Sequence, residues 1–355
     1  MNEKERIQSI IKPLIKWYQV NKKPLPWREG KSPYRVWISE IMLQQTRTSA
    51  VIPYFLRFME KYPTLDSLAA AEDDELMKLW EGLGYYSRAR NLKKCAIELM
   101  TKYDGAFPRD LKSLLSLPGI GPYTAGAISS IAFGEPCPAV DGNVLRVLMR
   151  VLASDRDIAD ERTKRAVTEL LCSVYPSGEQ AALFTEALME LGENVCIPNG
   201  EPRCDKCPIC KQCFAYEGKI QSLFPVKSPK KPRRTENRTI LVISNGDTFY
   251  IRKRAPKGLL ASLYEFPNLE GHLSNESIAA LLDGYGVTDY EVKPLSDATH
   301  IFTHVEWHMI GYRIVLSSCP SEALIDAYKL VGATREEIEA VYSIPTAYKS
   351  FTKSL

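Results

Sequence analysis

The sequence predicts a multidomain protein in which an all-α region precedes a smaller α+β domain. Apolar residues recur at helical spacing as far as about residue 191. Five cysteines then fall within residues 196–213, and β-branched runs begin only after the basic, proline-rich stretch Lys227–Arg238. A chain of 355 residues is also too long for one ordinary core. These observations together predict two or three domains.

The composition is typical of a folded soluble protein. Hydrophobic residues make up 45% and charged residues 25% of the chain, and the net charge is only +3. Met1–Arg6 is polar, and no apolar run is long enough to cross a bilayer, so we expect neither export nor a membrane partner. So mild a net charge does not by itself indicate nucleic-acid binding.

The N-terminal part is predicted to be a series of helices separated by Pro, Gly and Asp. The first helix is indicated by apolar residues at helical spacing between Ile7 and Tyr18. The same periodicity predicts helices over Tyr34–Thr46, Val51–Tyr62, Asp73–Leu79, Arg88–Lys102, Thr124–Ala132, Val144–Leu152, Arg162–Val174 and Glu179–Leu191.

A glycine-containing turn, Leu114–Ala125, joins two of these helices. Gly119 and Gly121 permit a left-handed backbone and close approach of a ligand, and Pro122 suits the first turn of the following helix. Backbone N–H groups at that helix start can bind a phosphate oxygen. A plain helix–turn–helix corner is the alternative, but the full string resembles the helix–hairpin–helix element of DNA-repair glycosylases, which grips the DNA backbone without reading sequence.

Two carboxylates are candidate catalytic groups. Glu40 lies among apolar neighbours in a predicted helix, where a raised pKa would suit a general acid. Asp141 precedes the helix that begins near Val144, whose N-terminus favours the ionised form. Such a pair suits acid-plus-anion chemistry at a glycosidic carbon. The alternatives are a helix N-cap at Asp141 or Asn143 and an ordinary polar-face residue at Glu40.

The cysteines near residue 200 predict a metal centre. Cys-x-x-Cys spacing brings two thiolates to one centre, and both zinc and an iron–sulfur cluster accept such ligands. A disulfide set is the weaker alternative, because structural disulfides are rare in a reducing cytoplasm. The set comprises Cys196, Cys204, Cys207, Cys210 and Cys213.

The C-terminal third is predicted to be a separate α+β domain. Asn245-Gly246 stands between the β-branched runs Thr239–Ser244 and Phe249–Arg252 and predicts a hairpin. Further strands are predicted over His300–His304 and Trp307–Leu316, and a helix over Ser277–Asp283.

Together these motifs resemble the endonuclease III superfamily and, within it, adenine DNA glycosylases of the MutY type. The resemblance also rests on Leu43–Arg47 and Gly82–Leu92 and covers nearly the whole chain. It implies a helical catalytic region over 1–217, formed by a six-helix barrel with helix–hairpin–helix and [4Fe–4S] subdomains. A basic linker over 218–236 and a Nudix-like 8-oxoguanine recognition domain over 237–355 are implied to follow.

The resemblance implies a monomeric enzyme that removes adenine mispaired with 8-oxoguanine or guanine in double-stranded DNA. Glu40 corresponds to the acid that protonates adenine, Asp141 to the anion that stabilises the sugar cation, and Asn143 to a residue that orients the site. Tyr123 stands where strand-cleaving relatives carry a lysine, so base removal without strand cleavage is implied.

Further residues receive roles from the resemblance alone. Gln45 and Tyr85 correspond to residues inserted into the duplex near the lesion. The remaining implied sets are Trp27, Arg28 and Glu186 around adenine; Phe302, Thr303 and His304 against 8-oxoguanine; and Cys196, Cys204, Cys207 and Cys213 as cluster ligands.

Several alternatives stay open. The loop from Cys196 to Cys204 is one residue longer than the family pattern, so Cys204, Cys207, Cys210 and Cys213 form a second candidate quartet. The competing functions are thymine removal from G·T pairs and a DNA-damage binding module without chemistry. The presence of Tyr123 and of the C-terminal domain speaks against the first, and the presence of both carboxylates against the second.

Overall fold

The computed structural model describes residues 2–229 and 232–355. Lys230 and Lys231, which belong to the predicted basic linker, lie outside the described residues. The chain divides into two compact units, one of Met1–Ala70 with Asn91–Pro229 and the other of Ala71–Arg90 with Lys230–Leu355. No helix in the described part of the chain is long and apolar enough to cross a membrane.

The first unit is helical, and its helices follow the sequence predictions closely. The helix after the predicted hairpin begins as α8 (Pro122–Ala127) and continues as a π-helical turn over Ile128–Ala132. The helices are α1 (Glu3–Asn21), α2 (Pro33–Leu43), α3 (Thr48–Lys61), α4 (Leu65–Ala69), α6 (Ser87–Lys102), α7 (Leu111–Ser116), α8 (Pro122–Ala127), α9 (Gly142–Leu152), α10 (Glu161–Cys172), α11 (Glu179–Asn194) and α12 (Phe214–Glu217). Helix α5 (Asp73–Leu79) and the first residues of α6 belong to the second unit.

Helices α1, α9 and α11 share one apolar core. Ile10 and Leu14 of α1, Leu148 of α9, and Phe184 and Leu191 of α11 are fully buried in it. Each contributes the apolar face of an amphipathic helix, which is the pattern that predicted these helices. This core carries the N-terminus of α9 and the buried side of α11, from which several candidate site residues project.

The start of the predicted linker packs on the first unit. The backbone N–H of Ile158 donates to the carbonyl of Val226 at 3.0 Å, and the N–H of Ser228 donates to Oδ1 of Asp157 at 3.2 Å. At the other end, the first strand of the sheet already begins at Arg234. The predicted domain ranges 1–217, 218–236 and 237–355 remain predictions, and the segment Ala71–Arg90 packs with the second unit.

The second unit contains a mixed sheet. Its helices are α5 (Asp73–Leu79), α13 (Asn275–Gly284), α14 (Glu322–Tyr328), α15 (Arg335–Ala340) and α16 (Lys349–Thr352). Its strands are β1 (Arg234–Asn245), β2 (Thr248–Lys253), β3 (Tyr264–Glu265), β4 (Asn268–Glu270), β5 (Tyr290–Ile301), β6 (Val305–Leu316) and β7 (Leu330–Thr334).

Strand β1 lies at the centre of the sheet order β3-β2-β1-β6-β5, and β4 and β7 pair with β1 and β2. Among the strand pairs that the structure describes, only β1–β6 is parallel, with Arg234 opposite Val305 and Ser244 opposite Val315. Successive residues of β1 pack on opposite faces, Ile240 and Val242 in one apolar cluster and Leu241 and Ile243 in another. Helices therefore cover both faces of the sheet.

The first hairpin forms one residue later than predicted. Asn245 is still in β1 and pairs with Thr248, so Gly246 and Asp247 are the central turn residues. Gly246 has a φ of +55°. Glycine with positive φ at the first central position is the arrangement of a type II′ turn.

The prediction of a strand over His300–His304 is wrong. Strand β5 begins at Tyr290 and ends at Ile301, and residues 302–304 turn into β6. Much of β5 is exposed and polar, so it lacks the apolar alternation that would have marked it.

Candidate functional site

A cleft of about 700 Å³ in the first unit collects eight of the predicted site residues, among them all four predicted catalytic ones. Its walls come from the turn at residues 26–28, the end of α2, the start of α8, the N-terminus of α9 and one face of α11. The predicted residues that line it are Trp27, Arg28, Glu40, Gln45, Tyr123, Asp141, Asn143 and Glu186. The cysteines line a separate pocket of this unit, and Tyr85, Phe302, Thr303 and His304 belong to the second unit.

Glu40 is a buried carboxyl group in the wall of this cleft. Only 4% of the residue is exposed, and the Tyr123 hydroxyl donates to its Oε2 at 2.6 Å. Burial raises the pKa of Glu40 to about 7, although the hydrogen bond from Tyr123 acts in the opposite direction. The nearby carboxylates of Asp141 and Glu186 raise it further. Glu40 can therefore hold a proton near neutral pH and release it to a bound group.

Asp141 is the N-cap of α9. Its Oδ1 accepts from the backbone N–H groups of Asn143 at 2.9 Å and Val144 at 2.8 Å, and its Oδ2 accepts from Nδ2 of Asn143 at 2.8 Å. Burial raises the pKa of Asp141, and these hydrogen bonds oppose that rise. The sequence predicted the helix end to dominate, and this is wrong, because desolvation outweighs it. Asp141 is therefore both the N-cap of α9 and a residue that lines the cleft.

Asn143 is fixed by a neighbour that the sequence did not single out. Its Oδ1 accepts from Nη2 of Arg146 at 2.9 Å, which orients the amide with its NH₂ toward Asp141. Arg146 also donates to the carbonyls of Gly192 at 2.7 Å and Cys196 at 2.8 Å. A Cβ at Gly192 would lie 2.8 Å from the Cβ of Asn143, so glycine is required there.

Two buried glutamates, Glu186 and Glu190, form ion pairs in the wall that α11 contributes. Nη2 of Arg28 lies 2.6 Å from Oε2 of Glu190, and its Nε lies 4.0 Å from Oε1 of Glu186. Nζ of Lys31 lies 2.7 Å from Oε2 of Glu186. Sequence reasoning missed Glu190 and Lys31. The detectable signal was two carboxylates four residues apart in an otherwise apolar stretch of helix, since that spacing places both on one face.

Lys164 also lines the cleft and was not predicted to do so. It lies in the first turn of α10 and is partly buried. The Lys164 amine matters for whether the protein also cleaves the DNA strand. Strand-cleaving relatives use an imine, and an imine forms only from an amine that reaches the sugar. Trp27 completes the cleft near Arg28, with its ring packed edge-on against Phe55 at a centroid distance of 5.5 Å.

Gln45 and Tyr85, the two predicted duplex-inserting residues, share an unusual backbone conformation. Gln45 has a φ of +57° and Tyr85 a φ of +48°, and both side chains are exposed. Left-handed conformations are uncommon and cost free energy in residues other than glycine. Each residue lies in a short connection rather than inside a helix, Gln45 directly after the α2 C-cap and Tyr85 before α6.

The predicted phosphate-binding turn lies between α7 and α8. Gly119 has a φ of +76°, and a Cβ there would lie 2.7 Å from the Cβ of Asn91, so both conformation and space require glycine. Gly121 is the N-cap of α8 with a φ of −93°, and no atom lies within 4 Å of a Cβ built there. The prediction of a left-handed Gly121 is therefore wrong. The α8 N-terminus still begins next to open space, as a phosphate contact would need.

The predicted lesion-reading residues form the turn between β5 and β6. The N–H of Phe302 donates to the carbonyl of Val305 at 2.8 Å, and the Phe302 ring packs against Trp307 at a centroid distance of 4.9 Å. Thr303 and His304 are exposed. The hydroxyl groups of Thr303 and Tyr85 lie 3.2 Å apart. Residues more than 200 positions apart in the sequence thus meet within the second unit.

The cysteines converge on one pocket of the first unit. Cys196 follows α11, and the other four lie in two short 3₁₀ turns and the residues that follow them, at 204–207 and 210–213. Arg150 Nη1 donates to Sγ of Cys196 at 3.3 Å. The potential ligands that line this pocket are Cys196, Cys204, Cys207, Cys210 and Cys213.

The donor chemistry of this pocket fits an iron–sulfur cluster. Of the ligand types Cys, His, Asp and Glu, only cysteine lines it, and the rest of the wall is largely apolar. All-thiolate ligation in an apolar surround is the usual setting of such clusters. Among the described residues, no group of three His, Cys, Asp or Glu side chains is arranged to hold a metal ion, so the support for a cluster is the donor chemistry of the pocket. Both candidate quartets lie in the pocket, so the choice between them stays open.

Known families match both parts of the chain. Residues 38–172 match the family described as HhH-GPD superfamily base excision DNA repair protein, and residues 239–354 match the NUDIX domain. Adenine DNA glycosylase of Buchnera aphidicola subsp. Schizaphis graminum is 33% identical over 308 residues, which is 86% of this chain and 87% of that protein. Adenine DNA glycosylase of Mus musculus is 33% identical over 366 residues, covering 87% of this chain and 71% of that protein.

Solved structures resemble the helical part. A thermostable thymine-DNA glycosylase is 28% identical with a TM-score of 0.54, and it covers 60% of this chain and 98% of its own. Endonuclease III in a non-covalent complex with DNA is 27% identical with a TM-score of 0.52, covering 62% of this chain and all of its own. The helical region therefore has the endonuclease III fold. The chain belongs to the adenine DNA glycosylases of the HhH-GPD superfamily of base excision DNA repair proteins.

Proposed function

We propose that this protein removes adenine mispaired with 8-oxoguanine, or with guanine, from double-stranded DNA. It is a base excision repair glycosylase, a hydrolase that acts on N-glycosyl bonds, as are the relatives it matches over most of its length. The observation that carries the proposed mechanism is Glu40, a buried acid with a pKa near 7 that faces the cleft beside Asp141. We further propose that it acts as a monomer, in the compartment that holds the chromosome.

Glu40 supplies the proton that makes adenine a leaving group. The target base leaves the duplex and enters the cleft, because chemistry on a stacked base is sterically blocked. Protonated Glu40 donates to adenine N7, and the C1′–N9 bond breaks as positive charge develops on the sugar. Asp141, held by Asn143 and by the α9 N-terminus, stabilises or briefly bonds to that cation. Water then adds to C1′ and returns a proton to the Glu40 carboxylate.

Tyr123 supports base removal without strand cleavage. Its phenol donates to Glu40 and so helps to hold the acid in place. A phenol has no amine and cannot form the imine that strand-cleaving relatives use. Lys164, at the wall of the same cleft, is the amine whose contribution has to be tested separately.

The adenine and lesion contacts come from the other predicted residues. Arg28 and Glu186 bring charged hydrogen-bonding groups to the adenine pocket, which Trp27 lines, and Gln45 and Tyr85 fill the space that the flipped base leaves. The exposed Thr303 and His304 offer a hydroxyl and an imidazole to 8-oxoguanine, whose C8 and N7 edge differs from that of guanine, and Phe302 anchors their turn. Gly119 and Gly121 bring backbone N–H groups to a DNA phosphate.

Cys196, Cys204, Cys207 and Cys213 would hold a [4Fe–4S] cluster, with Cys210 as the alternative to Cys196. A cluster held by these residues would supply a cross-link between the turns at 204–207 and 210–213 and the end of α11. Arg150, which donates to Cys196, would place a positive charge next to the thiolate ligands.

The function is tested with three duplexes that carry A opposite 8-oxoguanine, A opposite guanine and T opposite guanine. Abasic sites are scored under single-turnover conditions, with and without alkali, so that base removal is separated from strand cleavage. We expect alkali-dependent cleavage of both adenine duplexes, with the 8-oxoguanine duplex reacting faster. Preferential release of thymine would replace this proposal with the G·T alternative, which the relatives of this chain do not favour.

A further inference from the structure

The segment Ala71–Arg90 is held to the sheet of the second unit at several separate points. Nζ of Lys253 lies 2.6 Å from Oδ1 of Asp74, and the Tyr264 hydroxyl donates to Oδ2 of Asp74 at 3.3 Å. Farther along the segment, Nη1 of Arg90 donates to the carbonyl of Ala261 at 2.8 Å. This segment includes the first residues of α6 and carries Tyr85, so its placement decides where Tyr85 lies relative to the turn between β5 and β6.

Glu81 lies four residues before Tyr85 and contacts the chain that follows α15. Its Oε1 accepts from the backbone N–H of Ile344 at 2.9 Å, and its Oε2 lies 2.7 Å from Nζ of Lys78. Lys78 Nζ in turn donates to the carbonyl of Tyr342 at 3.1 Å. Glu81 and Lys78 are only 28% and 22% exposed, so water screens this pair less than a surface pair. One carboxylate thus joins the end of α5 to the chain that follows α15.

The loop between Glu81 and Tyr85 is internally braced. The indole N–H of Trp80 donates to the carbonyl of Gly84 at 3.1 Å, and Nη2 of Arg88 donates to the same carbonyl at 3.0 Å. A braced loop moves as one piece, so a change in the placement of its Glu81 end is carried to Tyr85. The hydroxyl oxygens of Tyr85 and Thr303 lie 3.2 Å apart, a contact that a small displacement would break.

We infer that Glu81 is a positioning residue for the discrimination between 8-oxoguanine and guanine. It acts by holding the Tyr85 loop against the turn that carries Thr303, and it has no place in the cleft where adenine is released. This inference rests on the proposed reading of 8-oxoguanine by the turn that carries Thr303, which the inserted Tyr85 contacts. Loss of the Glu81 contacts should therefore lower selectivity for the base opposite adenine while leaving excision from A·G duplexes intact.

The test compares single-turnover excision from A·8-oxoG and A·G duplexes by the full-length protein and its variants. For Glu81→Ala we expect the ratio of the two rates to fall roughly tenfold, the effect of ~1.4 kcal/mol, with the A·G rate unchanged. Glu81→Gln keeps an oxygen that can accept from Ile344 and should restore most of the ratio. Glu72→Ala is the matched control, since Glu72 is an exposed residue at the other end of α5 whose side chain makes no capping hydrogen bond.

A second comparison shows whether Glu81 acts through Tyr85. In a Tyr85→Ala background, Glu81→Ala should change the rate ratio no further, because the element that it positions is already gone. An additive loss overturns the inference, as does a full wild-type ratio in Glu81→Ala. If Glu81→Ala also loses A·G excision, Lys78→Met decides: it removes the contacts of Lys78 Nζ with Glu81 and with the carbonyls of Ile338 and Tyr342 but keeps an apolar stem, so it should lower the ratio, and an unchanged ratio overturns the inference. A wild-type ratio of one overturns the proposed lesion recognition and this inference with it.

Discussion

Glu40→Gln separates the raised pKa of Glu40 from its role in the reaction. Burial raises that pKa from an ordinary 4.5 to about 7. Between these two values the folded protein keeps the proton on Glu40 while the unfolded chain has released it. The stability of the wild-type protein therefore falls as pH rises through this window, and glutamine, which does not titrate, removes this dependence.

The size of the effect follows from the same shift. Well above pH 7 the ionised Glu40 costs the folded state roughly 3 kcal/mol, and well below pH 4.5 it costs nothing. Between pH 5.5 and 8.5 the stability advantage of Glu40→Gln over the wild type should grow by about 2 kcal/mol. For a unit of roughly 200 residues this corresponds to a change of about 4–8 °C in the difference between unfolding midpoints.

The assay is thermal unfolding of wild type and Glu40→Gln at pH 5.5 and 8.5, at one scan rate and one protein concentration. Glu193→Gln is the matched control, because Glu193 lines the same cleft but its side chain is 40% exposed. This control shows what the loss of a partly exposed carboxyl group at the same cleft does by itself, so that the effect of burial can be assigned to Glu40. Adenine release is measured in parallel, and Glu40→Gln should lose at least roughly 10²-fold because an amide is not a proton donor of comparable strength.

Two results would contradict this reasoning. An equal midpoint difference between wild type and Glu40→Gln at both pH values would show that Glu40 titrates as an ordinary exposed carboxyl group. Near-normal adenine release by the variant would show that another group supplies the proton. The first result concerns the environment of Glu40 and the second its role, so the two can fail independently.

Three further predictions concern the phenol, the amine and the cysteines. Tyr123→Phe removes the hydrogen bond that lowers the pKa of Glu40, so the alkaline fall in excision rate should move to higher pH; a fall at the wild-type pH would contradict this. Tyr123→Lys should give some strand cleavage and a borohydride-trapped imine that persists when Lys164→Gln is added, whereas a trap lost on adding Lys164→Gln would assign the imine to Lys164. The purified protein should be yellow-brown and contain iron and labile sulfide without stoichiometric zinc. Cys210→Ser should retain the cluster and Cys196→Ser should impair it; the reverse pattern would establish Cys204, Cys207, Cys210 and Cys213 as the ligands.

Local sequence determined most of the helical region. Apolar periodicity predicted the helices that carry the site, including α2 around Glu40 and α9 after Asp141, because a helix end depends on residues within one turn of it. The spacing of the cysteines predicted that they share one centre, because Cys-x-x-Cys loops bring two sulfurs together. The position of Asp141 as an N-cap was also readable, since its partners Asn143 and Val144 are two and three residues away.

The sequence was weaker where regular structure lacks an apolar pattern. Strand β5 is largely exposed and polar, and its pairing with β6 holds it in place rather than any alternation of its own residues. The first hairpin was displaced by one residue because Asn245 stays in the ladder opposite Thr248. In both cases, cross-strand pairing decided what local propensity left open.

The tertiary structure alone decided the electrostatics and the long-range contacts. The proton affinity of Glu40 depends on burial and on Tyr123, 83 residues later, and desolvation of Asp141 outweighs the helix end that its local sequence shows. Tyr85 meets Thr303 across 218 residues. The sequence by itself determined which chemical groups this protein has and on which helices and turns they lie. Their pKa values and long-range partners followed only from folding, because desolvation and these hydrogen bonds depend on atoms that are far apart in the sequence.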